Sequence, residues 1–381
     1  MARASFQPKG ASIPGGPTDQ TGLAGYFLRL GAIGFGGPVA LVGYMHRDLV
    51  ETRHIVTEAE YREGLALAQL SPGPLAAQLC FYLGYIRGGV RNATLCGLAF
   101  VAPSFLMVVV LGWAYIRYGG LPWMQAVFYG VGAAVIGLIT RTAYTLTRKT
   151  VGKDLLLLAV FATVAVATAI TGREIVSLIL ASGVLVWVVR APPPALRRRG
   201  TLAEAGSAIL LLQMLGFFAY AGSFVFGSGL AIVPFLHGGV VLQHGWLSER
   251  QFLDAVAVAL ITPGPVVITT GFIGYLVAGL AGACVAAGAT FLPAFLFTIV
   301  PAPYFHRYGD RPWLLAVVTG VTSAATGAIA GAVIVLGRQS IVDVITASIA
   351  AGAFGLTWLP RRIPEPVIVL GAALIGLMLR G

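Results

Sequence analysis

The stretch Gln69-Leu70-Ser71-Pro72-Gly73-Pro74 recurs 191 residues later as Leu260-Ile261-Thr262-Pro263-Gly264-Pro265. Each copy lies inside a long apolar segment, where proline interrupts a helix and removes a backbone donor. In a bilayer such a break is tolerated only where protein or a water-filled cavity covers the freed backbone. The two copies therefore predict a membrane protein with broken helices at two matched positions.

The recurrence extends over most of the chain. An offset of 191 also aligns a set of Gly, His and Glu residues, and an offset of 190 aligns Pro122-Trp123 with Pro312-Trp313. The residues matched at the offset of 191 are Gly31 with Gly222, Gly36 with Gly227, His46 with His237, and Glu58 with Glu249. Duplicated segments interrupted by Gly and Pro are typical of secondary transporters, whose sites lie near the bilayer midplane.

The composition sets the fold class. Of 381 residues, 57% are hydrophobic and 10% are charged, whereas a globular domain carries about 25% charged residues. This composition excludes a soluble fold, a disordered chain and a disulfide scaffold, and the long apolar runs exclude a β-barrel. We predict an all-α polytopic membrane protein of two homologous repeats with about 10–13 transmembrane segments, whose Gly/Pro-broken helices meet near the membrane midplane.

Four regions follow along the chain. Residues 1–21 are predicted to be a disordered cytoplasmic tail, 22–190 the first repeat, 191–206 a cytoplasmic linker rich in Pro and Arg, and 207–381 the second repeat. The net charge is +11, and 18 of the 25 cations precede residue 201. Clusters between Arg141 and Lys153 and between Arg190 and Arg199 orient their loops to the cytoplasm under the positive-inside rule. Six helices per half would make the repeats parallel, and five would invert them.

The Pro-Gly-Pro stretches are predicted to bind an anion. Ser71 and Thr262 each precede a proline, a pattern that predicts an N-cap and a helix start inside the membrane. A helix N-terminus exposes unpaired N–H groups and a partial positive charge. A packing kink that binds nothing is the alternative. The predicted binding residues are Gln69, Ser71, Gly73, Thr262 and Gly264, with helix breaks at Pro72, Pro74, Pro263 and Pro265. Because Gln69 aligns with Leu260, the second copy lacks a polar side chain at that position.

A second pair of breaks precedes the first. Gly36-Gly37-Pro38 in the first half corresponds to Gly227-Ser228-Gly229 in the second half. Adjacent glycines in a span either unwind the helix or admit another backbone at close range. We predict that Gly36, Gly37, Gly227 and Ser228 contribute to the substrate site and that Pro38 breaks the helix. Close helix packing alone is the alternative.

Two arginines are predicted to meet the substrate. Arg29 precedes the Gly-rich break and aligns with Tyr220, and Arg87 aligns with Val277, so this charge belongs to the first half only. An arginine inside a membrane segment is costly unless it is paired or faces water. A guanidinium can hold two oxygens of an oxyanion at once. Arg29 is the predicted principal cation.

Four titratable residues are predicted candidates for proton coupling. His46 and His237 titrate near neutral pH, although an interfacial His with a structural hydrogen bond is the favoured alternative. Glu63 and Asp254 align with each other near the breaks. The sequence has no Walker loop, HExxH, GxSxG or dense metal-ligand cluster, so we predict no enzyme activity, no metal and no cofactor. Its cations form no groove-sized patch with aromatics, so we predict no nucleic-acid partner.

These motifs together resemble the chromate ion transporter family in its two-domain form. The resemblance rests on Phe35-Gly36-Gly37-Pro38 and Gln69–Pro74 in the first half, and on Gly245-Trp246-Leu247-Ser248-Glu249 and Thr262–Pro265 in the second half. It covers roughly residues 22–380. It implies a multi-pass carrier of the bacterial inner membrane that exports chromate and lowers its accumulation. A carrier of sulfate or another oxyanion and an anion channel are the alternatives, and the expected partners are chromate, with sulfate as its close analogue, and the lipid bilayer. A homodimer stays open.

Overall fold

The computed structural model describes residues 19–34, 37–118, 121–171, 176–190, 209–225, 232–304, 312–358, 363 and 365–380. These residues form fourteen α-helices and no strand, which confirms the predicted all-α fold. Residues 1–18 of the predicted tail and the predicted linker lie outside the described residues, as do Gly36, Gly227 and Ser228.

The described residues of the first half form seven α-helices and one π-helical segment. They are α1 Asp19–Ile33, α2 Gly37–Met45 continued by the π-helical segment His46–Thr52, α3 Glu58–Leu70, α4 Leu75–Tyr118, α5 Pro122–Thr150, α6 Leu155–Thr171 and α7 Val176–Arg190. Helix α1 thus begins three residues before the predicted repeat boundary at residue 22.

The second half repeats this order element for element. Its described α-helices are α8 Ile209–Gly222, α9 Val233–Leu236 continued by the π-helical segment His237–Gln243, α10 Glu249–Ile261, α11 Thr269–Ile299, α12 Pro312–Ser340, α13 Val344–Leu356 and α14 Glu365–Arg380. Short 3₁₀ segments at Val266–Ile268 and Ala302–Tyr304 flank α11. Thr57 before α3 and Ser248 before α10 close equivalent capping boxes. The matching elements confirm two homologous repeats.

Helix α4 is bent back on itself as a hairpin. Gly88 and Gly89 leave helical geometry, and Asn92 Nδ2 donates to Gly84 O at 3.1 Å. In a straight helix these residues would be separated by about 12 Å along the axis. Helix α4 therefore has two antiparallel arms, 75–87 and 90–118. Helix α11 bends in the same way at Ala278 and Gly279.

A second hairpin joins α3 to the arm 75–87. Arg87, at the end of this arm, pairs with Glu60 at 2.7 Å and donates to Ile55 O at 2.6 Å, both at the start of α3. Helix α3 has 13 residues, which makes it about 20 Å long and shorter than the bilayer core of about 30 Å. The Pro-Gly-Pro stretch is therefore the apex of a hairpin that enters the membrane without crossing it.

In the described part of the chain, four helices are long and apolar enough to cross a bilayer. They are Leu75–Tyr118, Pro122–Thr150, Val266–Ile299 and Leu315–Arg338. Within the first of these, the arm 90–118 supplies the length, at about 43 Å. Shorter apolar helices surround them, among them Leu155–Thr171 and Val344–Leu356. The described chain is thus a polytopic membrane protein in which hairpin arms accompany full spans.

The two halves are inverted with respect to each other. In the first half, Asp154 follows α5 and pairs with Arg190 at the end of α7. In the second half, the equivalent pair of Asp343 and Arg380 lies at the opposite end of α5, since Tyr129 in the second turn of α5 donates to Asp343. The Tyr129 hydrogen bond, followed by the bond from the Thr346 backbone N–H, lowers the pKa of Asp343 to about 2. Equivalent ends of the halves therefore face opposite sides of the bilayer.

Each half also completes the packing of the other. The long helix α5 packs against α13 and α14, and its equivalent α12 packs against α6 and α7. The cations distribute unevenly between the two sides. One side, which we call the cation-rich face, carries Arg47, Arg53, Arg62, Arg87, Arg91, Arg148, Lys149, Lys153 and Arg190, whereas the described cations at the opposite face are Arg117, Arg250, Arg338 and Arg380.

Candidate functional site

The broken segments of the two halves meet in the centre of the molecule. Gly73 N, at the first Pro-Gly-Pro apex, donates to Val225 O at 2.5 Å, just beyond α8. Gly264 N, at the second apex, donates to Gly34 O at 2.9 Å, just beyond α1. Each apex thus contacts the break that follows the first helix of the other half. The predicted meeting of the broken helices is confirmed by these two bonds.

Ser104 connects both kinds of break. This buried residue of the arm 90–118 donates from its Oγ to Pro263 O at 2.7 Å, and the same oxygen lies 3.3 Å from Gly31 O. Gly264 has a φ of +92°, and a Cβ there would lie 2.0 Å from Ser104 Oγ. No larger residue fits this position without displacing the serine. Ser104 was not predicted from the sequence, although its alignment with Ala294 marks a polar residue that only one repeat has.

The helix after each apex starts later than predicted. Ser71 and Thr262 end α3 and α10 as C-caps, so their predicted role as N-caps is wrong. Ser71 Oγ donates to Phe297 O at 3.3 Å, and Thr262 Oγ1 donates to Val258 O at 2.9 Å. A residue before proline avoids helical geometry, and both Ser71 and Gly73 precede a proline. The next helix therefore begins only after Pro74.

A buried amide stands where this helix begins. Gln78 is fully buried, and its Nε2 donates to Pro72 O at 2.9 Å. Its Oε1 has no hydrogen-bond partner among the described residues. Gln69, the amide selected from the sequence, is exposed on α3. The apex thus carries a glutamine side chain from Gln78, a position that the sequence pattern did not distinguish from the apolar arm around it.

Arg29 lies in a cleft beside the first break. The cleft has a volume of about 550 Å³ and runs between α1 and the segment formed by α2 and the π-helix. Pro38 occupies the first turn of α2, where proline is favoured. The Arg29 side chain is exposed to the cleft, whose inner end is formed by Ile33 and Gly34. Among the described residues, Arg29 has no acidic partner.

Arg87 has a different environment. Its side chain is 24% exposed, and its guanidinium contacts Glu60 Oε1 at 3.2 Å, Glu60 Oε2 at 2.7 Å and Ile55 O. Glu60 also closes the capping box of α3 with Thr57. The charge of Arg87 is therefore compensated at the base of the hairpin, away from the apex. The structure does not bring Arg29 and Arg87 together around one ligand.

The predicted coupling residues occupy repeat-related positions. His46 Nε2 lies 2.8 Å from Glu58 Oε2, and His237 Nε2 lies 2.6 Å from Glu249 Oε2. Both pairs tie the start of a π-helical segment to the first turn of the next α-helix. This geometry agrees with the structural alternative for the histidines.

The aligned carboxylates each contact a tyrosine. Glu63 forms a hydrogen bond with Tyr82 of its own half. Asp254, which is 4% exposed, accepts a hydrogen bond of 2.6 Å from Tyr115 of the other half. Asp254 also borders a cleft of about 350 Å³ with Arg250 and Arg380 at the opposite face. Within the described ranges, no group of three or more His, Cys, Asp or Glu side chains could hold a metal ion.

Comparison with known proteins gives consistent matches over both halves. A family model described as "Chromate transporter" matches residues 21–187 and again residues 212–377. The chain is 62% identical to the "Chromate transport protein" of Cupriavidus metallidurans, over 93% of this chain and 92% of that protein. It is 59% identical to the "Probable chromate transport protein" of Synechococcus elongatus, over 93% and 94%. A "Chromate transport protein" of Pseudomonas aeruginosa is 29% identical over 94% and 92%. No solved structure matches the chain significantly.

Proposed function

Since the chain belongs to the chromate transporter family, we propose that it is a secondary carrier that exports chromate across the bacterial inner membrane and thereby confers chromate resistance. Under the positive-inside rule, the cation-rich face is the cytoplasmic face. The proposal assigns no enzymatic step and no cofactor to the chain.

The observation that carries the proposal is the contact between the four breaks. In inverted-repeat carriers, discontinuous helices enclose a site near the midplane, and the two repeats rock around it. Here each hairpin apex contacts the break after the first helix of the opposite half, through the Gly73–Val225 and Gly264–Gly34 hydrogen bonds. If one of these two contacts separated at a time, the centre would open first to one face and then to the other. In each of these states the Gly73 or Gly264 amide of the separated contact would be available to a substrate oxyanion, whereas here both amides bond to the opposite half.

The substrate residues follow from the same geometry. Arg29 supplies the principal positive charge at the inner end of its cleft, and Ser71, Gly73, Thr262 and Gly264 supply the apex. We keep Gly36, Gly37, Gly227 and Ser228 as proposed substrate residues from the sequence pattern alone, since Gly36, Gly227 and Ser228 lie outside the described residues. Of the residues predicted from the sequence, Gln69 is exposed on α3 and Arg87 is paired with Glu60. We therefore assign the central polar contact to the buried Gln78 instead.

Electrostatics favour export. With the cell interior negative, moving a dianion outward gains about 4.6 kcal/mol per 100 mV, because each charge gains about 2.3 kcal/mol. The membrane potential alone can therefore drive the cycle. Chromate and sulfate are tetrahedral dianions of similar size, so we expect sulfate to compete for the same site.

Chromate uptake into everted membrane vesicles tests the proposal. Wild-type protein should take up chromate with a saturable rate that sulfate reduces. Arg29→Ala should lose most of this rate at normal expression, and Arg29→Lys should retain part of it. Arg91→Ala, at an exposed position beside the α4 turn, is the matched control and should behave like wild type. Absence of uptake by wild type would refute the carrier function. An uptake rate that never saturates with chromate concentration would indicate a channel. Full activity of Arg29→Ala would refute the role of Arg29.

A further inference from the structure

We infer that the cleft between α1 and the first π-helical segment is a loading site that takes a tetrahedral oxyanion from the cytoplasmic face, and that Arg47 and Arg53 hold the ion there before it reaches the apex. We call it the loading cleft, lined by Tyr26, Arg29, Tyr44, Arg47, Asp48 and Arg53. The inference rests on the proposed function, since it names the path to the same central site.

The loading cleft carries the charge that a dianion requires. Three guanidinium groups and one carboxylate line it, which gives a net charge of 3 − 1 = +2. Arg47 Nε pairs with Asp48 Oδ1 at 2.9 Å, so Arg47 is partly compensated. Arg53 lies over the Tyr26 ring at 5.3 Å, a contact that orients the guanidinium without neutralising it. Arg29 and Arg53 therefore keep their full charge for an oxyanion, which a guanidinium binds through two parallel hydrogen bonds.

The dimensions and position of the cleft suit uptake of a hydrated ion. A water molecule occupies about 30 Å³ in the liquid, so a cleft of about 550 Å³ holds an oxyanion with part of its hydration shell. The outer end of the cleft lies at Thr52 and Arg53, next to Ile55, the residue that Arg87 anchors at the cation-rich face. Its inner end is Gly34, whose carbonyl contacts the second apex. The cleft thus leads from the cytoplasmic face to the centre.

The second half has no equivalent of this charge. At the offset of 191, Arg29, Arg47 and Arg53 correspond to Tyr220, Gly238 and His244. Asp48 corresponds to Gly239, which packs so closely on Phe217 that a Cβ would lie 1.9 Å from the ring. Because the halves are inverted, this aromatic counterpart faces the outer side. A dianion is therefore concentrated at the cytoplasmic face only, and this asymmetry favours outward transport.

Transport kinetics in everted vesicles test the loading cleft. Arg53→Gln should raise the chromate concentration at half-maximal rate about tenfold, the effect of losing about 1.4 kcal/mol of binding, while the maximal rate stays near that of wild type. Arg47→Gln should raise it less, since Asp48 already compensates that charge. Arg62→Gln is the matched control, because Arg62 lies at the same face but pairs with Glu58 outside the cleft. The difference between Arg53→Gln and wild type should shrink at high ionic strength.

A labelling experiment keeps the inference testable if a variant transports poorly. In a Cys284→Ala background, Arg53→Cys should react with a maleimide in everted vesicles, and sulfate or chromate should slow this reaction. Two outcomes would overturn the role of the loading cleft but not the proposed carrier function. One is saturable uptake by wild type with an unchanged chromate concentration at half-maximal rate in Arg53→Gln. The other is labelling that neither ion slows. Absence of uptake by wild type would instead refute the proposed function itself.

Discussion

Arg87, at the base of the first hairpin, makes contacts that stabilise the fold. All of its described partners come from the base of one hairpin, and both it and Glu60 are about one-quarter to one-third exposed, at 24% and 31%. Arg87 Nε is buried and has no hydrogen-bond partner among the residues that the structure describes. Removing either member of such a pair leaves a half-buried charge uncompensated, which costs more than the loss of a surface ion pair.

We therefore expect Arg87→Ala and Glu60→Gln to destabilise the protein by about 1–3 kcal/mol, between the values for exposed and buried pairs. The measurement is the melting temperature of purified protein in detergent. Arg62→Ala is the control, because its side chain is 76% exposed, and it should melt like wild type. The folded fraction of Arg87→Ala should reach its half-maximal uptake rate at the same chromate concentration as wild type. A raised half-saturation with an unchanged melting temperature would show that Arg87 binds substrate.

At the scale of elements, the residue that packs against the apex glycine differs by one hydroxyl between the two halves. The first apex packs Gly73 against Ala294, and a Cβ on Gly73 would lie 2.7 Å from that of Ala294. The second packs Gly264 against Ser104, the residue aligned with Ala294, and adds the hydrogen bond to Pro263 O. The side-chain hydrogen bond that ties the second apex to the opposite half, at 2.7 Å, is therefore shorter than the Ser71–Phe297 bond of the first apex, at 3.3 Å.

Ser104→Ala removes this bond while it keeps the shape of the interface, so we expect folded protein with altered transport. Pro263 O loses its described partner, and the second apex should open more easily. The maximal rate of chromate uptake should change by about two- to tenfold, which corresponds to one hydrogen bond of about 0.5–1.5 kcal/mol. Ser104→Thr, which retains the hydroxyl, should stay closer to wild type. Kinetics of Ser104→Ala identical to those of wild type would show that apex opening does not limit transport.

The position of the first break can be predicted from the sequence, but the path of the chain after it cannot. Pro72-Gly73-Pro74 predicts a break because proline and the residue before it both resist helical geometry. The same rule, applied to Gly73 and Pro74, places the next helix start after Pro74 rather than at Ser71. The direction of the chain after the break cannot be predicted from the local sequence, because the return of the arm 75–87 alongside α3 depends on the distant Arg87–Glu60 pair. Likewise, the local pattern does not distinguish Gln78 from the apolar arm around it, and the alignment of Ser104 with Ala294 does not show that Ser104 bonds to Pro263 O.

For the whole molecule, the repeat is visible in the sequence, but its orientation is not. Helix counts from apolar runs cannot separate a full span from a pair of hairpin arms, so parallel and inverted halves remain equally compatible with the pattern. Contacts of α5 decide between them. Asp154 follows its C-terminal end, and Asp343 bonds to Tyr129 near its N-terminal end. Inversion also brings the charged cleft and its aromatic counterpart to opposite faces, which parallel halves would not do.

Cysteine accessibility tests this inverted arrangement directly. Lys153 and Val342 lie in equivalent connections before α6 and α13, and both are exposed, Val342 at 65%. In a Cys284→Ala background, whose remaining Cys80 and Cys96 are buried, an impermeant maleimide should label Lys153→Cys in everted vesicles only. It should label Val342→Cys in right-side-out vesicles only, because α5 separates the two sites by about 43 Å. If the halves were parallel, both cysteines would be labelled from the same side. The charged cleft and its aromatic counterpart would then also face the same side, which would contradict a charged cleft at one face alone.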